Sequence, residues 1–142
     1  MKIIQLSIFM ENKVGVINEV TSILSEAGIS MRAFSVADGI EFGILRLLVP
    51  DVEYAQKVIE DAGYKVTRTE VLCINVPNIA GGVSEVLNCL AKENLFIQYM
   101  YAYSDSEVAS VVIRPNDIDR CVKVLKGCIS ELQEKNQCYS FS

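Results

Sequence analysis

Residues 12–31, NKVGVINEVTSILSEAGISM, and residues 78–97, NIAGGVSEVLNCLAKENLFI, are one segment written twice, 66 positions apart. Asn12, Gly15, Glu19, Val20 and Leu24 fall on Asn78, Gly81, Glu85, Val86 and Leu90 without change. Ile17/Val83, Ile29/Leu95 and Met31/Ile97 are conservative matches, and upstream Leu6 and Ile8 meet Leu72 and Ile74. Turn residues and apolar positions match together, which is the mark of a duplicated structural unit.

Working outward from the first copy, KIIQLSIFM (2–10) puts Ile4, Leu6, Ile8 and Met10 on one side of a strand. Asn12 offers a side-chain cap and Gly15 a permissive backbone for a helix start. Val16, Val20, Ile23, Leu24 and Ala27 follow helical spacing, and Gly28 is placed to end that helix. ISMRAFSVA (29–37) and EFGILRLLV (41–49) read as strands around Asp38-Gly39, a hairpin signal. Pro50-Asp51 opens a second helix that Gly63 stops, and YKVTRT (64–69) returns as a strand. The order β-α-β-β-α-β is the ferredoxin-like unit. The second copy repeats it from Glu70, with Asn94 where the first has Gly28 and Ser104-Asp105-Ser106 as its hairpin turn. Domain boundaries of 1–69 and 70–142 follow. YKVTRTEVLCINVP (64–77) contains no flexible linker, which predicts rigid packing of the two units. At the C-terminal end, either one helix passes through Gly127 or Gly127 stops it; a last strand is expected somewhere in 128–141.

Composition narrows the function classes. The 142 residues are 51% hydrophobic, ample for a packed core. Net charge is −5, with no basic stripe to neutralise phosphates, so no nucleic-acid partner is expected. No apolar run reaches the roughly 18–20 residues of a membrane span, and no cleavable leader is legible, so a cytoplasmic location and no membrane partner are expected. Five cysteines without metal-ligand spacing are expected to be reduced thiols. Histidine is absent, which excludes His-dependent triads and zinc sites. No metal, cofactor or catalytic residue is assigned; Asp38, Glu41, Asp105 and Glu107 sit in hairpin positions where solvated charge is ordinary.

N-K-V-G-V-x-x-E-V-x-x-x-L-x-x-x-G-I-S-M resembles the ACT-domain signature, an Asp/Asn-x-Pro-Gly turn after the first strand followed by an apolar helix and a second strand. N-I-A-G-G-V-x-E-V-x-x-x-L-x-x-x-N-L-F-I resembles it again. Val14 and Ala80 stand where the signature has proline. The resemblance implies an α+β fold of two tandem ferredoxin-like ACT domains side by side. Their second strands, near 31–37 and 97–103, would join as edges into one mainly antiparallel eight-stranded sheet with helices on one face. It also implies a non-catalytic regulatory module whose partner is a free amino acid bound between ACT domains. The chain would serve a metabolic enzyme or regulator encoded elsewhere. The alternative is an assembly module that binds no metabolite.

Two pseudo-equivalent effector sites follow from that arrangement. In one, the turn Glu11, Asn12, Lys13, Val14, Gly15 and Val16 faces the strand carrying Gln98, Tyr99, Met100 and Tyr101. In the other, Asn78, Ile79, Ala80, Gly81 and Gly82 face Met31, Arg32, Ala33 and Phe34. Backbone N–H groups at a helix start suit a carboxylate, and Asn12, Asn78 or edge carbonyls suit an ammonium. Gly82 reads as the stronger ligand hint, because Val16 holds the equivalent place in the first copy. Tyr99, Tyr101 and Tyr103 alternate onto one strand face. If that face is bare it predicts a homodimer, with a tyrosine also able to wall a ligand.

Overall fold

A computed structural model describes residues 1–142. It contains β1 (Lys2–Glu11), α1 (Val16–Glu26), β2 (Ala33–Ala37), β3 (Phe42–Leu48), α2 (Val52–Asp61) and β4 (Lys65–Pro77). There follow α3 (Gly82–Lys92), β5 (Ile97–Asp105), β6 (Val108–Pro115), α4 (Ile118–Lys135) and β7 (Ser140–Phe141). The chain divides into two compact units: Ile4–Thr69, hereafter the first unit, and Met1–Ile3 with Glu70–Ser142, the second.

Within the first unit the strands run β4-β1-β3-β2; within the second, β7-β4-β6-β5. Both are the ferredoxin-like order, with the unit's first and third strands in the middle. The chain holds seven strands rather than the expected eight. The reason is that β4 is continuous over 13 residues, closing the first βαββαβ run with residues 65–69 and opening the second with 70–77. β2 pairs with β3, and β5 with β6, and neither has a further pairing. The expected ladder between 31–37 and 97–103 is therefore not formed in this chain.

Strand alternation and helical spacing build one core in each unit. In the first, Leu6, Ile8 and Met10 of β1 and Leu45 and Leu47 of β3 meet Val20 and Leu24 of α1 and Ala55 and Ile59 of α2. In the second, Leu72, Ile74, Val111 and Ile113 meet Val86, Leu90, Cys121, Leu125 and Ile129. Each fully buried aliphatic side chain contributes roughly 1.5–3 kcal/mol.

The helix ends repeat at the same 66-residue offset. Asp51 accepts from the Tyr54 N–H and Asp117 from the Arg120 N–H, both at 3.1 Å, so each second helix has a true N-cap. At the end of α1 the Gly28 N–H reaches Ser25 and the Ile29 N–H reaches Leu24; at the end of α3 Asn94 and Leu95 repeat the pair on Ala91 and Leu90. Both are Schellman closures. Asn94 takes the left-handed conformation (φ 57°) that glycine supplies in the first copy. Gly127 does not stop α4, which continues to Lys135 and buries Cys128, Ile129 and Leu132. The last strand is the two-residue β7, inside the expected window.

Two further expectations are corrected. Cys89 on α3 and Cys128 on α4 form a disulfide across a Cα–Cα distance of 6.2 Å, leaving Cys73, Cys121 and Cys138 as thiols. Helix packing brings together two cysteines that lie 39 positions apart. The tyrosine face of β5 is bare only in part: Tyr103 is exposed, while Tyr99 and Tyr101 are half-buried. Tyr101 pairs with Val112, which pairs with Cys73. These three lie in one row on the face away from the helices, with Val112 and Cys73 buried and Tyr101 half-buried. Cross-strand neighbours of that size cover one another.

Candidate functional site

The sequence-predicted turns are two copies of one backbone device. Gly15 (φ 90°) and Gly81 (φ 84°) occupy the N-cap positions of α1 and α3 in the left-handed region, which disfavours any Cβ. Their conservation between the copies is thus explained by backbone geometry. Asn12 and Asn78 do not cap these helices, since neither N-cap receives a side-chain bond. Instead Asn12 Nδ2 donates to the Gly39 carbonyl at 2.8 Å, and Asn78 Nδ2 donates to the Ser106 carbonyl at 3.0 Å. Each asparagine ties its strand-to-helix turn to the hairpin of the same unit.

Much of the turn's N–H supply is spent internally. The Lys13 N–H bonds Glu11, and the Val16 N–H bonds Lys13. In the second copy Asn78 bonds Glu107, Ile79 bonds Pro77, and Gly82 bonds Ile79. Lys13 Nζ also pairs with the Glu11 carboxylate at 2.6 Å. Val14 is fully exposed, and Ile79 and Ala80 are exposed as well. Gly82 is not structurally dispensable: a Cβ there would stand 2.3 Å from the Pro77 carbonyl oxygen. Val16 shows that the position tolerates valine only with the first copy's turn.

Among the predicted strand residues, Met31 and Arg32 precede β2, and the Arg32 N–H bonds the Leu48 carbonyl. Ala33 is buried opposite Leu48. Phe34 stands opposite Leu47 on the core side of the sheet, yet is 59% exposed because β2 is an outer strand. In β5 the register shifts between Ile97 and Tyr99, which places Gln98 in an irregularity. Beyond it Tyr99 faces Arg114, and Met100 faces Ile113.

Each unit also has a cavity that the sequence reading missed. In the first it measures about 380 Å³ and is bounded by the turn, α1 and the start of β4, through Phe9, Glu11, Val16, Glu19, Phe42 and the run Gly63-Tyr64-Lys65. In the second it measures about 250 Å³ and lies between the turn Ile79–Gly82, Glu85 and the end of α4 with Tyr139. Glu19 and Glu85 are repeat equivalents. Tyr64 and Tyr139 each precede the last strand of their unit. Burial, then a hydrogen bond to Glu19, pushes the Tyr64 phenol above its ordinary range. Burial, then the charge of Glu85, does the same at Tyr139, whose hydroxyl donates to the Gly82 carbonyl at 3.0 Å. The identity of Glu19 and Glu85 was a usable signal. The tyrosines were hidden because the longer α4 moves them off the 66-residue register.

Residues 1–138 match the family described as an ACT domain pair. The chain belongs to that family. Protein BT0572 from Bacteroides thetaiotaomicron is 43% identical, with a TM-score of 0.85 over 89% of this chain and 88% of that one. The regulatory subunits of aspartate kinase from Thermus thermophilus and Thermus flavus share the fold. Their TM-scores are 0.63 and 0.64 at 12% and 13% identity, covering 88% of this chain and 91% and 89% of theirs. No curated protein matches at a significant level.

Proposed function

We propose that this ACT pair is a non-catalytic regulatory module that binds a free amino acid and acts on a metabolic enzyme or regulator encoded elsewhere. Family membership supports the regulatory role, and the aspartate kinase regulatory subunits show the same fold in that setting. The observation that carries the reading is the twice-built turn, with a left-handed glycine at the helix start and an asparagine strut to the hairpin. A turn braced from two sides is preorganised, which lowers the cost of ordering on binding. The effector would lie against residues 11–16 or, in the second copy, 78–82. Edge residues 31–34 and 98–101 would complete the enclosure in an assembly of two chains.

That assembly is a homodimer paired along outer strands. On β2, Phe34 and Val36 are more than half exposed beside an unpaired strand edge, a combination that favours pairing with another chain. The same surface favours the second reading, assembly without a metabolite. A thermal-shift series with the twenty amino acids separates them. Effector at about 100 times its Kd should add roughly 2.7 kcal/mol. Sedimentation of the wild type and Val36→Lys should show a dimer that the new edge charge weakens. A dimer that no amino acid stabilises would leave the assembly reading standing alone.

A further inference from the structure

The two cavities are unequal in ways that bear on where an amino acid sits. The first unit's, at about 380 Å³, falls inside the range of roughly 300–1,000 Å³ typical of small-molecule sites; the second unit's turn cavity, at about 250 Å³, falls below it, and that unit's larger hollow, about 580 Å³ along α3 and α4, is lined by Glu85, Lys92, Glu131 and Lys135 with no aromatic wall. In the second cavity Pro77 replaces Glu11, Gly82 replaces Val16, and the Tyr139 hydroxyl is committed to the Gly82 carbonyl. In the first, Tyr64 and Glu19 both line the cavity. Phe9 and Phe42 give apolar walls, and the Lys65 ammonium lies 5.2 Å from the Phe9 ring centroid. Two carboxylates (Glu19, and Glu11 already paired with Lys13), an ammonium and aromatic surface thus line one open cavity. This is the complement of a zwitterion with an apolar side chain: the ligand's ammonium pairs with a carboxylate, its carboxylate with a lysine, and its side chain leaves water against the rings.

We infer that the first unit's cavity holds the effector, one molecule per chain, with its ammonium on Glu19, its carboxylate on Lys65 and an apolar side chain against Phe9 and Phe42. The inference rests on the amino-acid reading above but seats the ligand inside one unit rather than against an edge strand of a second chain. It uses Glu11 and Val16 of the predicted turn but lies on the β4 side of that turn, and it leaves the second unit's turn empty.

The test is titration calorimetry on the full chain with an apolar amino acid that gives a thermal shift. The matching amine (no carboxylate) and the matching carboxylic acid (no amine) are titrated beside it. The expected stoichiometry is one per chain. Glu19→Gln should weaken the amino acid and the amine at least tenfold and leave the carboxylic acid unchanged. Lys65→Met should do the reverse, sparing the amine. Glu85→Gln should change none of them. Circular dichroism of each variant checks folding. Two ligands per chain, or unchanged affinity in both Glu19→Gln and Lys65→Met, would overturn the inference. If Val36→Lys abolishes binding while those two variants bind normally, the effector sits at the strand edge, and the regulatory reading survives without this site. If the wild type binds no amino acid, both fall.

Discussion

Asn12 reaches across 27 positions to donate its side-chain amide to the Gly39 carbonyl, 2.8 Å away. Its repeat partner Asn78 makes the corresponding bond to Ser106. A duplicated side chain that makes a duplicated long-range bond has a structural job in both places. Replacing Asn12 by Ala should cost about 0.5–1.5 kcal/mol, the net worth of one exposed hydrogen bond. Asn12→Asp should cost a similar amount, since a carboxylate has no N–H to donate. Urea unfolding of both variants checks this; equal stability of Asn12→Ala and wild type would contradict the strut.

At Gly82 the expected outcome is loss of stability. Even Gly82→Ala places a methyl carbon against the Pro77 carbonyl oxygen, closer than any ordinary contact, and that oxygen is backbone and cannot swing aside. The cost should be about 1–3 kcal/mol, the usual range for overpacking. Gly81→Ala meets no neighbour but must hold a left-handed conformation, for about 1–2 kcal/mol. Chemical denaturation of the two variants measures both. The reverse change Val16→Gly carries neither penalty's origin and serves as the comparison.

The Cys89–Cys128 disulfide closes a loop of about 40 residues, for which chain entropy predicts roughly 4 kcal/mol of stabilisation of the second unit. Alkylation under denaturing conditions should block three thiols before reduction and five after it. Reduction, or Cys89→Ser, should lower the unfolding midpoint of the second unit. An unchanged midpoint after confirmed reduction would show that α3 and α4 hold together by packing alone.

Cys121 supplies a pH dependence. Burial, with the charge of Asp117 added, pushes its thiol up from 9.0 to about 11. A folded-state value above the unfolded one means that stability is complete below about pH 9 and declines as pH rises towards 11. Melting temperature followed from pH 8 to 11 should therefore fall, and Cys121→Ala should flatten part of that fall. The raised Tyr64 and Tyr139 phenols act in the same direction at higher pH.

Dimer formation gives the last expectation. Val36→Lys changes an exposed side chain on an outer strand and should leave monomer stability within about 0.5 kcal/mol. Any loss of dimer in sedimentation is then a property of the edge. A wild type that is monomeric at tens of micromolar would remove the edge-pairing proposal, since specific interfaces are commonly far tighter than that.

Whatever is local or periodic was legible in the residues alone. Alternation placed Leu6, Ile8 and Met10 in a core, and helical spacing placed Val20 and Leu24 against them. The 66-residue repeat gave the βαββαβ order twice and predicted the matching helix ends at Gly28 and Asn94. These follow from rules that act within a few residues of each other. What the tertiary structure decided are meetings between residues far apart in the chain. Asn12 looked like a helix cap because the cap rule sees only the next three residues, while its partner Gly39 lies beyond the following helix and strand. Gly82 looked expendable because the Pro77 oxygen that excludes its Cβ depends on the turn's path, not its composition. Cys89 and Cys128 met because two helices packed, and Tyr64 and Tyr139 became equivalent in space only after α4 ran through Gly127. β4 joined the end of one unit to the start of the next, so that eight expected strands became seven. In each case the deciding quantity is a through-space distance, and a chain specifies that only once its cores have formed.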